Sequence, residues 1–448
     1  MPDLSELCTG AVGEARGSDE IEAYAESSRH VQVRVRGGEV ESLTSAETRG
    51  LGVRAVVGGR VGYAYGADPT PEEVVALVRT ARESAAFAEA DEANGLPELV
   101  PPPPLPGLFR EAQERVPAER KVSLALDVER AATSAHAEVR KVESAGFADS
   151  VSRVAIASTR GGPMEYARTD CWVSVSALAE REGETQSGFD FALARELDEL
   201  DWEAAARGAA RRAARLLGGE KPRSERLPVV LDPGAGTAFL SVLSGALSGE
   251  AVLKGRSPLA SLTDQSIGSE AVTLVDDGRL VEGLAAAPFD DEGVQTTRTP
   301  LVEGGVLRGF LHNSFTAARM GTRSTGNAGR AGYRSVPGVS PTNLYLEPGA
   351  SSAEDVLRTA GRGVYVQDVT GLHSGASSVT GDFSVGAAGL AIEDGALGRP
   401  LREMTVASTL LDVLRGVSAL GDDLRFFPFG GSLGAPTILV QEMTVAGT

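Results

Sequence analysis

Histidine and cysteine are scarce in this 448-residue sequence, with four of the first and two of the second. A hydrolytic zinc site needs about three protein ligands, usually His, Cys or carboxylate. His30, His136, His312 and His373 are scattered, no two within helical reach, and H-E-x-x-H is absent. The zinc arrangement left open gathers His312, His373 and distant carboxylates. Cys8 and Cys171 stand too far apart for a zinc ribbon or a disulfide framework, which points to a reducing compartment.

Aromatic residues make up only 5% of the chain, so the core must rest on Val, Leu and Ala. Positive charge is also short: 43 Lys and Arg face 62 Asp and Glu, a net charge of -19. Such a surface repels a phosphate backbone, which argues against nucleic acid as a partner. The local basic stretch RGAARRAARL (Arg207–Leu216) reads as an exposed helix face between acidic runs. No long apolar run exists. The longest uncharged stretch of interest, Pro233–Gly249, has four glycines and three serines, too polar for a bilayer span. The N-terminal stretch has no basic region followed by an apolar core, so no signal peptide is expected, and a cytoplasmic location is.

What is present reads as α+β. LSELCTGAVGEA is helix-like. HVQVRVRGGEVESLTSA and LGVRAVVGGRVGYAYG alternate apolar and polar residues around Gly37-Gly38 and Gly58-Gly59, which predicts two hairpins. Thr70 and Pro71 then open a helix. LVPPPPLPGLF (residues 99–109) suits a stiff surface connector. A helix over Ala118–Ala135, strands to about Ala192 and a helix over Leu197–Leu217 complete the first half. GGEKPRSERLP (Gly218–Pro228) marks the boundary between an N-terminal α+β domain, 1–222, and a β-rich domain, 223–448. In the latter, acidic-plus-Gly turns at Asp276–Gly278, Glu303–Gly305 and Glu393–Gly395 predict three hairpins and an antiparallel sheet or barrel.

Familiar catalytic patterns fail on local grounds. GGSLG (Gly430–Gly434) matches G-x-S-x-G, but Ala435-Pro436 and strand-like TILV follow where a helix must start, so a glycine-rich turn is expected. No phosphate-loop lysine motif exists. FDDEGV (Phe289–Val294) sets three carboxylates in a row, but neighbours on a strand point to opposite faces, so a solvated turn is expected. His373 beside Ser374, in GLHSGASSVTGDFSVGAAGLAIEDG, is the most notable polar pair.

FDDEGV, SPTNLYLEPG, the His373 stretch and the closing GAPTILVQEMTVAGT occur in the order seen in the TldD/PmbA proteins. The chain resembles that family over nearly its whole length, most strongly from about Leu227. The resemblance implies an intracellular peptidase component, of a family also called modulators of DNA gyrase. TldD-like subunits carry H-E-x-x-x-H on a helix, and a cysteine near the C-terminus, as metal ligands. PmbA/TldE-like subunits lack them and pair with a catalytic partner. Matching Leu247, Gly249 and Glu250 to the family pattern sets the metal motif on Leu240, Ser241, Val242, Leu243, Ser244 and Gly245, where no ligand remains. Phe429–Pro436 has no cysteine. The resemblance therefore implies a PmbA/TldE-like subunit with no metal and no catalytic residue of its own, the zinc belonging to a TldD-like partner.

Leu240, Leu243 and Leu247 would form the buried stripe of a packing helix, and Ser241, Ser244, Gly245 and Ser248 a small-residue face. His373, Ser374, Thr380, Asp382 and Ser384 are the expected binding residues for an unfolded peptide. The glycines among them allow close approach, and the polar groups suit a peptide main chain. Two other readings stay open: a self-sufficient hydrolase using His373 with Ser374 or Asp382, and a homodimeric peptide-binding or scaffold protein.

Overall fold

The computed structural model describes residues 3–428 and 431–447. α1 (Leu4–Gly13) is held at its start by a reciprocal cap between Asp3 and Glu6. β1 (Glu20–Arg36), β2 (Glu39–Val57) and β3 (Arg60–Ala67) follow, and the turns fall at Gly37-Gly38 and Gly58-Gly59. All four glycines have positive φ, the requirement that made Gly-Gly a hairpin signal. α2 (Pro71–Ala85) starts as the sequence predicts, with Thr70 and Glu73 capping each other.

Residues 99–109 form neither helix nor strand beyond a bridge from Leu99 to Gly161, and Leu99 and Leu108 are buried. α3 (Glu111–Glu114), α4 (Ala118–Ser134), β4 (Val139–Ser158), β5 (Gly161–Arg181), β6 (Glu184–Ala194) and α5 (Trp202–Ala214) come next. The helix expected from Leu197 is broken. A single 3-10 turn at Leu197–Glu199 precedes Asp201, whose side chain caps α5.

The six strands form one antiparallel sheet in the order β3-β2-β1-β4-β5-β6. Ala23, Ala25, Val33 and Val35 of β1 face the helices, and Tyr24 faces the second half of the chain, packing with Phe289 and Tyr333. Small residues let α5 lie close. Ala205, Ala206, Ala209, Ala210 and Ala213 are buried, and a Cβ on Gly188 of β6 would sit 2.2 Å from the Ala213 nitrogen.

The second half begins with β7 (Glu225–Leu231), α6 (Pro233–Ala246), α7 (Gly249–Leu253), β8 (Leu274–Asp277), β9 (Arg298–Glu303) and β10 (Val306–Leu307). α8 (Ser314–Met320), β11 (Ala328–Gly329), β12 (Gly338–Val339), β13 (Asn343–Leu346), α9 (Ala353–Ala360) and β14 (Gly363–Thr370) follow. The chain continues through α10 (Leu372–Gly375), β15 (Asp382–Glu393), β16 (Ala396–Thr409) and α11 (Leu410–Gly416). β17 (Val417–Leu420), β18 (Arg425–Phe427), β19 (Ser432–Ala435) and β20 (Ile438–Gly447) complete it.

One sheet runs β16-β15-β14-β7-β20-β17, and a further pairing of β16 with β20 closes most of it into a barrel. A second sheet runs β10-β9-β8-β13-β19-β18. The fold is thus α+β with a barrel-like later sheet. It is not wholly antiparallel: β14 pairs parallel with β7, and β13 with β19. Each parallel pair is joined through a long stretch of intervening chain, the crossover that parallel pairing demands.

The hairpins at Glu303–Gly305 and Glu393–Gly395 form. The one expected at Asp276–Gly278 does not, for β8 pairs with β9 and β13 instead. Its acidic residue is no solvated turn residue. Asp276 is buried and accepts from Asn327 Nδ2 at 2.7 Å and from the Thr342 amide at 2.8 Å. Of GGSLG, Gly430 lies outside the described residues, as does Phe429 beside it. Ser432 is a buried strand residue rather than part of a turn, and its Oγ accepts from the Leu284 amide.

Candidate functional site

α6 begins at Asp232, whose carboxylate accepts from the Gly234 amide and so caps the helix. The same carboxylate accepts from Arg212 Nη1 at 2.9 Å and from the Tyr365 hydroxyl at 2.6 Å. Arg212 Nη2 donates to the Gln367 carbonyl and to Asp368. Burial opposes the charge on Arg212, but Asp232 and Asp368 outweigh it and raise its pKa. The basic stretch of α5 is therefore not a plain exposed face. Arg207 and Arg211 are exposed, whereas Arg212 ties α5 to the start of α6.

Along α6 the apolar stripe is buried as predicted: Leu240, Leu243 and Leu247 are all 1% exposed or less. Ser241 Oγ donates to the Ala238 carbonyl at 2.7 Å, and Ser244 Oγ to the Ser241 carbonyl at 2.8 Å. Gly245 is exposed, and a Cβ there would come 3.1 Å from Ser378 Cβ on the α10–β15 loop. This donor set does not fit zinc. It offers two alcohols turned onto their own helix and no imidazole, thiolate or carboxylate. His312 is buried, with Nδ1 3.2 Å from Thr316 Oγ1, and burial lowers its pKa. His373 is exposed on α10.

Two adjoining hollows lie along α6, and a third adjoins the second. A cleft of about 300 Å³ is lined by Ser241 and Ala238 of α6 together with Phe191, Arg212, Leu372 and Arg425. The Arg425 guanidinium lies 4.4 Å from the Phe191 ring centroid and binds Asp190. An apolar recess shares Ala238 and Leu372 with this cleft. An open groove shares Ala376 and Phe383 with the recess and is lined by hydroxyls, among them Ser377, Ser408 and Thr444.

Of the five expected binding residues, Ser374, Asp382 and Ser384 line the groove. His373 and Thr380 are exposed on the same loop but, among the described residues, are not part of its lining. Ser374 Oγ donates to the Gly371 carbonyl, and Thr380 Oγ1 accepts from the Asp382 amide. Among the described residues no hydrogen bond joins His373 to Ser374 or Asp382.

FDDEGV departs furthest from its reading as a solvated turn. Asp290 and Glu292 are buried. Arg54 of β2 donates to Glu292 Oε1 at 2.8 Å and to Glu22 of β1, and Arg330 pairs with the same Glu22. The Arg330 amide donates to Asp291 at 2.7 Å, and three backbone amides donate to Asp290. Burial pushes Glu292 up, but Arg54 and the Ser314 amide outweigh it and hold its carboxyl below the ordinary range. The segment is a turn rather than a strand, but a largely buried one, so its carboxylates are held by the protein instead of by water. What the sequence hid is that two distant arginines come to meet them.

Family comparison agrees with this architecture. Residues 21–85 match the PmbA/TldA metallopeptidase domain 1, residues 111–217 its central domain and residues 224–447 its C-terminal domain. The chain is 28% identical to the metalloprotease PmbA of Escherichia coli O157:H7, over 99% of this chain and 96% of that protein. It is 25% identical to a metalloprotease TldD homolog of Buchnera aphidicola, over 99% and 95%. A crystal structure from Thermotoga maritima superposes with a TM-score of 0.88 at 28% identity, covering 96% of both chains. The crystal structure of TldE from Thermococcus kodakarensis shares the fold, with a TM-score of 0.91 at 23% identity over 98% and 99%. No helix among the described residues is long and apolar enough to cross a membrane. With all three domain types matched in order and full-length relatives on both sides of the family, the chain belongs to the TldD/PmbA family.

Proposed function

We propose that this chain is the non-catalytic, PmbA/TldE-like subunit of a TldD/TldE-type metallopeptidase that acts on unfolded peptides in the cytoplasm. The observation that carries this reading is the chemistry of Leu240–Gly245. Two buried leucines, a valine, two serines bonded to their own helix and a glycine offer neither a zinc ligand nor a general base. Metal and water activation then belong to a TldD-like partner. This chain's part is to hold substrate. Ser374, Asp382 and Ser384 meet the peptide main chain in the groove, with His373 and Thr380 on the same loop.

Peptidase assays on the chain alone, the partner alone and the mixture test the assignment. The chain alone should be inactive, and the mixture more active than the partner alone. A mixture no more active than the partner removes the subunit role. Activity of the isolated chain that survives chelators removes the non-catalytic one.

A further inference from the structure

We infer that the apolar recess beside α6 selects a short aliphatic side chain, of alanine to valine size, from the peptide lying in the groove. The inference rests on the peptide-holding reading above and adds a specificity to it. Every side chain lining the recess is apolar, so a charged or hydrogen-bonding group would lose water there and find no partner. Ala238 and Val242 of α6 form one wall, and Val406 and Met443 of the barrel another. Both barrel residues are 2% exposed, so that wall is fixed by the core.

The free space is about 30 Å³. A water-sized group needs roughly 10–15 Å³ on this measure, so about two such groups fit. That suits the methyls of valine and excludes a phenyl ring. Position supports the same reading. The recess meets the groove at Ala376 and Phe383, so a residue whose main chain lies along Ser374 and Ser384 has an adjoining hollow for its side chain.

All three hollows are built from this chain, so the isolated full-length protein must show the preference. The probes are labelled, unstructured peptides identical except for one central Gly, Ala, Val, Phe or Asp, titrated by fluorescence anisotropy. Each buried methylene is worth about fourfold in affinity, so the Val peptide should bind about tenfold or more tighter than the Gly peptide. Ala should fall between, and Phe and Asp should gain nothing.

Ala238→Leu fills the recess from the helix and Ala376→Val from the loop. Either should bring the Val peptide down to the Gly peptide, with thermal unfolding confirming the fold. Equal binding of all five peptides, tightest binding of Phe, or a Val preference that survives both folded variants would overturn the recess while leaving peptide holding intact. No binding of any peptide would overturn both.

Discussion

Arg54 grips Glu22 with one arm of its guanidinium and Glu292 with the other, and the three side chains are at most 9% exposed. Coulomb attraction in such a place is offset by the cost of removing each charge from water. The arrangement is therefore fragile to the loss of one member. Arg54→Met removes the cation and leaves two buried carboxylates facing each other, and should cost about 3–5 kcal/mol. Urea unfolding of the variant against the parent measures it, and a loss below about 1 kcal/mol would show that water reaches the cluster. The residue scale is where the sequence was least legible. Asp290, Asp291 and Glu292 looked like a solvated turn because three carboxylates in a row cannot converge on one ion when neighbours on a strand face opposite ways. Arg54 meets Glu292 and Arg330 meets Asp291, while Asp290 accepts only from backbone amides, and Arg54 is 238 positions away from Glu292. Asp276 was misread for the same reason, since its donors Asn327 and Thr342 are distant.

Elements were more legible where their signals are local. Thr70 with Glu73 capped α2, and two Gly-Gly pairs turned two hairpins, because each requirement is met within a few residues. The stripe of α6 was readable from helical spacing once the family resemblance had marked the segment as a helix. Parallel pairing of β7 with β14 was not, since no local feature distinguishes it from antiparallel pairing. The contact of α5 with β6 was also hidden, although it governs how closely helix and sheet approach. A Cβ on Gly188 would meet backbone of α5, with the Ala209 carbonyl oxygen at 2.4 Å, so nothing flexible can yield. Gly188→Ala should therefore destabilise by about 1–3 kcal/mol through overpacking, despite the better strand propensity of alanine. Thermal unfolding reads it. A neutral or stabilising result would mean that α5 can shift outward freely.

At the scale of the molecule, buried charge joins the chain's two halves. Arg330 sits with its side chain 0% exposed between Glu22 and Asp291, and Arg212 of α5 holds Asp232 and Asp368. Residues 223–448 expressed alone would keep Arg330 and lose Glu22, and would keep Glu292 and lose Arg54. We expect that fragment to exchange its amides quickly around 290–294 and 328–332 and to aggregate. Hydrogen exchange by mass spectrometry on fragment and full chain checks this, and equal protection of both segments would show that the second half is self-sufficient. The candidate site divides in the same way between local and distant information. The side chains of Leu240–Gly245 could be read against the family pattern within one helix. That three of five loop residues share a groove, and that an apolar recess adjoins it, depends on segments brought together between Ser374 and Thr444 for the groove and between Leu231 and Met443 for the recess. The partnership of Glu22 with Arg330 spans 308 positions. A ribosome adds about 5–20 residues per second, so Glu22 is made roughly 15–60 s before Arg330. During synthesis the first sheet must wait, one face still uncovered, for the arginine that completes it.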